Sequence, residues 1–71
     1  VSVDAQATPV GTTVTWTNPG DAAYVEIRDP EGNLLDTLQV SGQETTVERD
    51  DIEAYAIYED GTETLIYQSG G

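Results

Sequence analysis

The sequence predicts an all-β fold, a small seven-stranded two-sheet immunoglobulin-like sandwich, on three observations. Thr, Val, Ile and Tyr dominate the apolar and semi-polar runs, and these residue types suit a pleated surface. The runs are short, recur at the roughly 8–12-residue spacing of sandwich strands, and are divided by Pro, Gly, Asn and Asp. Within them apolar and polar residues alternate, which leaves each strand one wet face.

Each element follows from this pattern. Segment 2–8 carries Val3, Ala5 and Ala7 in phase with Val1; such a terminal edge strand is expected to dock on its own sheet, with pairing to a neighbouring subunit as the alternative. After Pro9-Val10-Gly11, segment 12–18 places Val14 and Trp16 on one side and Thr13, Thr15 and Thr17 on the other. Asn18-Pro19-Gly20-Asp21 turns the chain into segment 22–29, where Ala23, Val25 and Ile27 oppose Tyr24, Glu26 and Arg28. Asp29-Pro30-Glu31-Gly32 fits a type I turn with Pro at its second position. Strands 33–40 and 43–49 follow, separated by Ser41-Gly42, and Asp50-Asp51 leads to strand 54–59. Asp60-Gly61 fits a two-residue type I′ hairpin into the last strand, 62–68.

The 71 residues form one domain, 1–71, with one small core. With no Cys and no His, the staples left to so small a scaffold are assembly with partners or the solvent itself. No apolar stretch approaches the roughly 20 residues of a membrane span, and no basic-then-apolar leader opens the sequence. A start at Val1, with no Met in the chain, leaves initiator removal and cleavage from a longer precursor equally open.

Fourteen acidic residues face two arginines and no lysine, a formal charge of -12. Disorder would follow if hydrophobic content were low, but it is 37% and falls in regular runs. The charge therefore reads as adaptation to saturated salt. At molar ionic strength the screening length shrinks to about 3 Å, and self-repulsion that is severe in dilute buffer largely disappears. Folding is expected to require high salt. Nucleic acid is set aside as a partner, because such binding depends on cations that neutralise phosphates. The carboxylates are spread over turns and outward positions rather than gathered in two rows, which argues against a mimic of DNA.

The stretch 13–27 sets a Trp two residues beyond a Val, then a Pro turn and an apolar-x-apolar strand. It resembles the second and third strands of a fibronectin type III or immunoglobulin-like domain. Segment 47–57 is similar to the fifth and sixth strands, with Ile52 on the connecting turn and Tyr55-Ala56-Ile57 in the place of the family's Tyr-x-Val. The resemblance implies a two-sheet sandwich used for adhesion, spacing or assembly, without chemistry of its own.

No catalytic residue is expected: without His, Cys or Lys, Ser2, Ser41 and Ser69 have no base partner. Paired carboxylates capable of glycoside hydrolysis would need a sugar-holding cleft that so small a sandwich does not offer. No cofactor is implied. Asp50, Asp51 and Glu53 are candidate calcium ligands, as oxygen-rich clusters suit hard cations, followed by Asp29, Glu31 and Asp36; the alternative is a solvated acidic turn.

With Asp60-Gly61 as the hairpin loop, Tyr55, Ile57 and Ile66 share one face of the last two strands. Ala56, Tyr58, Leu65 and Tyr67 share the other. The family pattern implies that Tyr55 and Ile57 point inward, which makes Tyr58, Leu65 and Tyr67 an outward stripe that Tyr24 extends. Aromatics of this kind on a charged surface mark a protein contact; the competing reading is that they wrap the core's edges.

The expected function is a non-catalytic structural or protein-binding unit, extracellular or on a virion surface. It would be a small decoration, cement or spike subunit of a virion or similar assembly of an extreme halophile. The alternative is an adhesion or spacer domain of a surface-layer, pilus or secreted protein. The partner is protein, a second copy included, and neither nucleic acid nor membrane insertion is expected.

Overall fold

In the computed structural model, which describes residues 1–69, the alternating runs become strands. These are β1 (Ser2–Thr8), β2 (Gly11–Asn18), β3 (Tyr24–Arg28), β4 (Leu34–Leu38), β5 (Glu44–Val47), β6 (Glu53–Ile57) and β7 (Glu63–Gln68). Among the described residues they form two antiparallel sheets, β1-β2-β5 and β4-β3-β6-β7, and no helix. An immunoglobulin constant domain keeps its fourth strand beside the first, second and fifth; here β4 instead pairs with β3. β1 lies on its own sheet, with Ala5 opposite Val14 and Val3 opposite Trp16.

Period-two alternation puts one face of each sheet inside. Val14 and Trp16 of β2 meet Val25 and Ile27 of β3, with Leu38, Val47, Ile52 and Ala54 completing the core. Ala23 lies just before β3 and stays exposed. Val3, Ala5, Leu35, Ile66 and Tyr67 are half-buried around this centre and close its flanks. The Trp16 indole N–H donates to the Asn18 carbonyl at 3.0 Å, so the ring is buried without stranding its donor. Among the described residues no buried side-chain polar atom lacks a partner.

Two connections stiffen the sandwich. Gly32 N–H closes on the Asp29 carbonyl at 2.9 Å, the turn expected at Asp29-Pro30-Glu31-Gly32. The buried Asp29 carboxylate accepts from the Glu31 and Asn33 amides at 3.0 and 2.8 Å and from Asn33 Nδ2 at 3.0 Å. At the β5–β6 connection Ile52 is fully buried, and Ser69 ties it down: Ile52 N–H donates to Ser69 Oγ at 2.9 Å, and Ser69 N–H to the Ile52 carbonyl at 3.0 Å.

The last hairpin departs from expectation. A type I′ turn needs positive φ at both central residues, yet among the described residues only glycines have positive φ, Gly61 at 87°. Gly61 N–H donates to the Tyr58 carbonyl at 2.9 Å and Tyr58 N–H to the Thr62 carbonyl at 3.0 Å. The loop is therefore three residues, Glu59-Asp60-Gly61, with glycine in the left-handed position that closes this hairpin form. The extra loop residue moves the register by one, so that Tyr55 faces Leu65 and Ala56 faces Thr64. A bulge between Ala54 and Tyr55 then absorbs Ile66 and brings Tyr67 opposite Ala54. Ala54 and Ala56 point into the core, and Tyr55, expected inside, lies on the outer face.

Candidate protein-binding face

The outer face of the four-stranded sheet gathers the side chains that β3, β6 and β7 turn away from the core. The ladder sets Glu26 beside Tyr55 and Tyr55 beside Leu65; in the next row Tyr24 lies beside Ile57 and Ile57 beside Glu63. Ile57 is buried within this layer, Tyr24 and Tyr55 are half-buried, and Leu65 is 45% exposed. Leu34, 57% exposed, adds a second apolar side chain opposite Arg28.

Arg28 organises this face. Its guanidinium carbon sits 4.2 Å from the centre of the Tyr55 ring, within cation–π range. Nε donates to Glu26 at 2.9 Å, and Nη1 donates to Glu63 at 3.0 Å. These partners hold the arginine more firmly protonated than usual: hydrogen bonding to Glu63 leads, with Glu26 next. The same bond holds the Glu63 carboxyl below the usual carboxylate range. Tyr55 Oη donates to Glu53 at 2.8 Å, which pushes the phenol up, with burial adding to the effect. Gln68 Nε2 donates to the other Glu53 oxygen at 3.2 Å.

The four residues expected to form one stripe divide between two environments. Tyr24 and Leu65 lie on the outer face. Tyr67 packs against the core, and strand alternation puts half-buried Tyr58 in phase with Ala54 and Ala56. Tyr55, Arg28, Ile57 and Leu34 join Tyr24 and Leu65 instead. No sequence signal separates the two registers: Asp60-Gly61 fits a two-residue loop as well as the end of a three-residue one, and only the latter pairs Tyr55 with Leu65.

The acidic candidates do not converge. Asp51 accepts two bonds from Arg49 at 2.8 and 2.9 Å, which holds its carboxyl low. Glu53 belongs to the outer face, and Asp50 is exposed, contributing its carbonyl to Ser69 Oγ at 2.6 Å. Asp29 is taken by Asn33 and by Arg49 Nη1 at 3.6 Å, Asp36 accepts from Thr45 Oγ1 across the gap between the sheets, and Glu31 stays exposed. Among the described residues no three carboxylates form a group able to hold a metal ion.

Both arginines are thus committed to internal carboxylates, Arg28 to Glu26 and Glu63, Arg49 to Asp51 and Asp29. The outer face has an apolar and aromatic centre ringed by the carboxylates of Glu26, Glu53 and Glu63. The chain matches no protein-family model, no curated protein and no solved structure.

Proposed function

We propose that this chain is a non-catalytic structural or protein-binding module of an extreme halophile, with a fibronectin type III-like strand arrangement. In this reading it is a small decoration, cement or spike subunit of a virion or similar extracellular assembly. The observation that carries the proposal is the outer face of the four-stranded sheet. On a surface with charge -12, Tyr24, Tyr55 and Leu65, laid over buried Ile57, interrupt the acid with apolar and aromatic side chains. The absence of lysine, with both arginines held in internal pairs, supports molar salt as the working solvent.

Light scattering in molar potassium chloride tests the face. Tyr24→Ser/Leu65→Ser is expected to lose the concentration-dependent association of the wild type, while Thr37→Ser, on the same face but outside the apolar patch, retains it. Equal association of all three at equal folding removes the face from the proposal.

A second reading, a spacer or adhesion domain, has its own observation. Val1 lies against Gly20 in the β2–β3 connection, and Ser69 lies against Ile52 in the β5–β6 connection. These are opposite poles of a body measuring 35 × 25 × 18 Å, a geometry that suits end-to-end linkage. Tandem copies joined head to tail would show an extended scattering profile if this reading holds, and a collapsed one if it fails.

A further inference from the structure

β4 and β5 are the edge strands on one side of the sandwich, one from each sheet. Between them runs a groove of about 340 Å³ lined by Leu35, Asp36, Thr46, Val47, Glu48 and Arg49. We propose that this groove receives an extended, cationic segment of a partner protein, which adds to β5 as a further strand.

The backbone supplies the first half of the argument. Trp16 N–H donates to the Gln43 carbonyl at 3.0 Å, and Gly42 N–H donates to the Trp16 carbonyl at 2.8 Å. Bonded and non-bonded pairs alternate along an antiparallel ladder, so Val14 with Thr45 and Thr12 with Val47 are the bonded pairs. The amides and carbonyls of Glu44 and Thr46 therefore point away from β2. That is an open edge of the kind an added strand pairs with.

The side chains supply the second half. Strand alternation turns Val47 inward and Glu44, Thr46 and Glu48 outward. An added strand would thus send every second side chain onto the apolar floor of Leu35 and Val47. The others would lie beside Glu44 and Glu48, neither of which is in an ion pair. The cation at the groove, Arg49, is already bound to Asp51 and Asp29. Molar salt screens charges at a distance but acts least on groups in contact, so the discrimination lies at the rim itself. A second copy, with fourteen acidic residues and no lysine, offers no free cationic side chain to touch Glu44 and Glu48, whereas alternating cationic and apolar residues complement both the rim and the floor.

The probe is a short blocked peptide of alternating Arg and Val, titrated into the isotopically labelled chain in molar potassium chloride. Amide shifts are expected at Glu44, Thr46, Val47 and Leu35. N-methylating alternate peptide amides on the pairing edge should weaken binding by about tenfold, the effect of losing one or two hydrogen bonds. Glu in place of Arg should abolish it. Thr46→Pro removes an N–H that the ladder does not use, and Pro is tolerated on such an edge; the variant should fold and fail to bind. Glu44→Gln/Glu48→Gln should weaken the Arg peptide about threefold or more. Equal binding of the N-methylated peptide, unimpaired binding by folded Thr46→Pro, shifts confined to other surfaces, or no shifts at millimolar peptide would each overturn the proposal.

Discussion

Gly11 opens β2 where, of the described glycines, the chain leaves least room for a side chain. Its φ is 149°, and a Cβ built there would lie 1.9 Å from the Val47 carbonyl oxygen, 2.8 Å from Arg49 N and 2.9 Å from Glu48 Cα. All three are backbone atoms, so no side-chain rotamer relieves the clash. Gly11→Ala therefore has to push the end of β5 away from β2. That movement strains the Thr12–Val47 pair and the bond from Thr12 Oγ1 to the Arg49 carbonyl, 2.9 Å in the native state.

A residue forced into this region costs about 1–3 kcal/mol, and the loosened hydrogen bonds add about 1–2 kcal/mol. The sum, about 2–5 kcal/mol, is set against a total stability of roughly 4–10 kcal/mol for a chain of this length. Trp16, 2% exposed and the only tryptophan, reports unfolding directly. Urea titrations in molar potassium chloride, followed by its fluorescence, should show a midpoint far below that of wild type, or no folded baseline. Gly61→Ala is the control: φ is 87° but nothing lies within 4 Å of its Cβ, so only the backbone strain of about 1 kcal/mol remains. If the two alanine variants lose equal stability, the close approach at Gly11 is not what demands glycine there.

Melting followed by circular dichroism should rise by about 10 °C or more between dilute buffer and molar potassium chloride, since each kcal/mol of relieved repulsion moves Tm by about 4–8 °C; a flat profile would undercut the reading of the charge. Ile52→Ala should cost about 2–4 kcal/mol in urea titration, because the side chain is fully buried on a connection anchored at both sides. In molar potassium chloride, where net repulsion is screened, stability should also fall in acid. Burial raises the Asp29 carboxyl, but the hydrogen bonds from Asn33, with Arg49 and the Glu31 amide, outweigh it and leave the group below its usual value; Asp60 is held low by the Thr62 amide and hydroxyl. Groups depressed in the folded state contribute stability above their unfolded pKa of about 4 and lose it as pH falls through the folded value, so Asp29→Asn should flatten the acid limb of the melting profile.

The two-sheet sandwich and the inner faces of β2 and β3 were legible because each of those strands has one apolar side. Val14 with Trp16 and Val25 with Ile27 leave no competing phase. β6 offers two, Ala54 with Ala56 and Tyr55 with Ile57, and hydrophobicity alone favours the bulkier pair. The β3–β6 ladder decides otherwise: Ala56 lies opposite Val25 and Ala54 opposite Ile27, so the alanines share the core face while Tyr55 and Ile57 take the other. The β7 bulge is equally silent in sequence, since Leu65-Ile66-Tyr67 is apolar at every position and fits any register. The candidate face was therefore legible as a collection of aromatic residues in the last hairpin, but not as a surface.

The placement of the two arginines explains why a chain so depleted of cations keeps any. Arg28 reaches from β3 over the Tyr55 ring of β6 to Glu63 of β7, joining three strands through one planar group. Arg49 joins Asp51 on the β5–β6 connection to Asp29 at the β3–β4 turn, so it ties one sheet's exit to the other sheet's hairpin. A lysine ammonium presents a point charge and cannot match two carboxylates and a ring face together. Arg28→Lys should accordingly lose about 1 kcal/mol in urea titration, despite unchanged charge, and the loss should shrink in a Glu63→Gln background. A loss undiminished there would mean that Arg28 stabilises through Glu26 and its stacking on Tyr55 alone, and that the clamp between β3 and β7 contributes nothing.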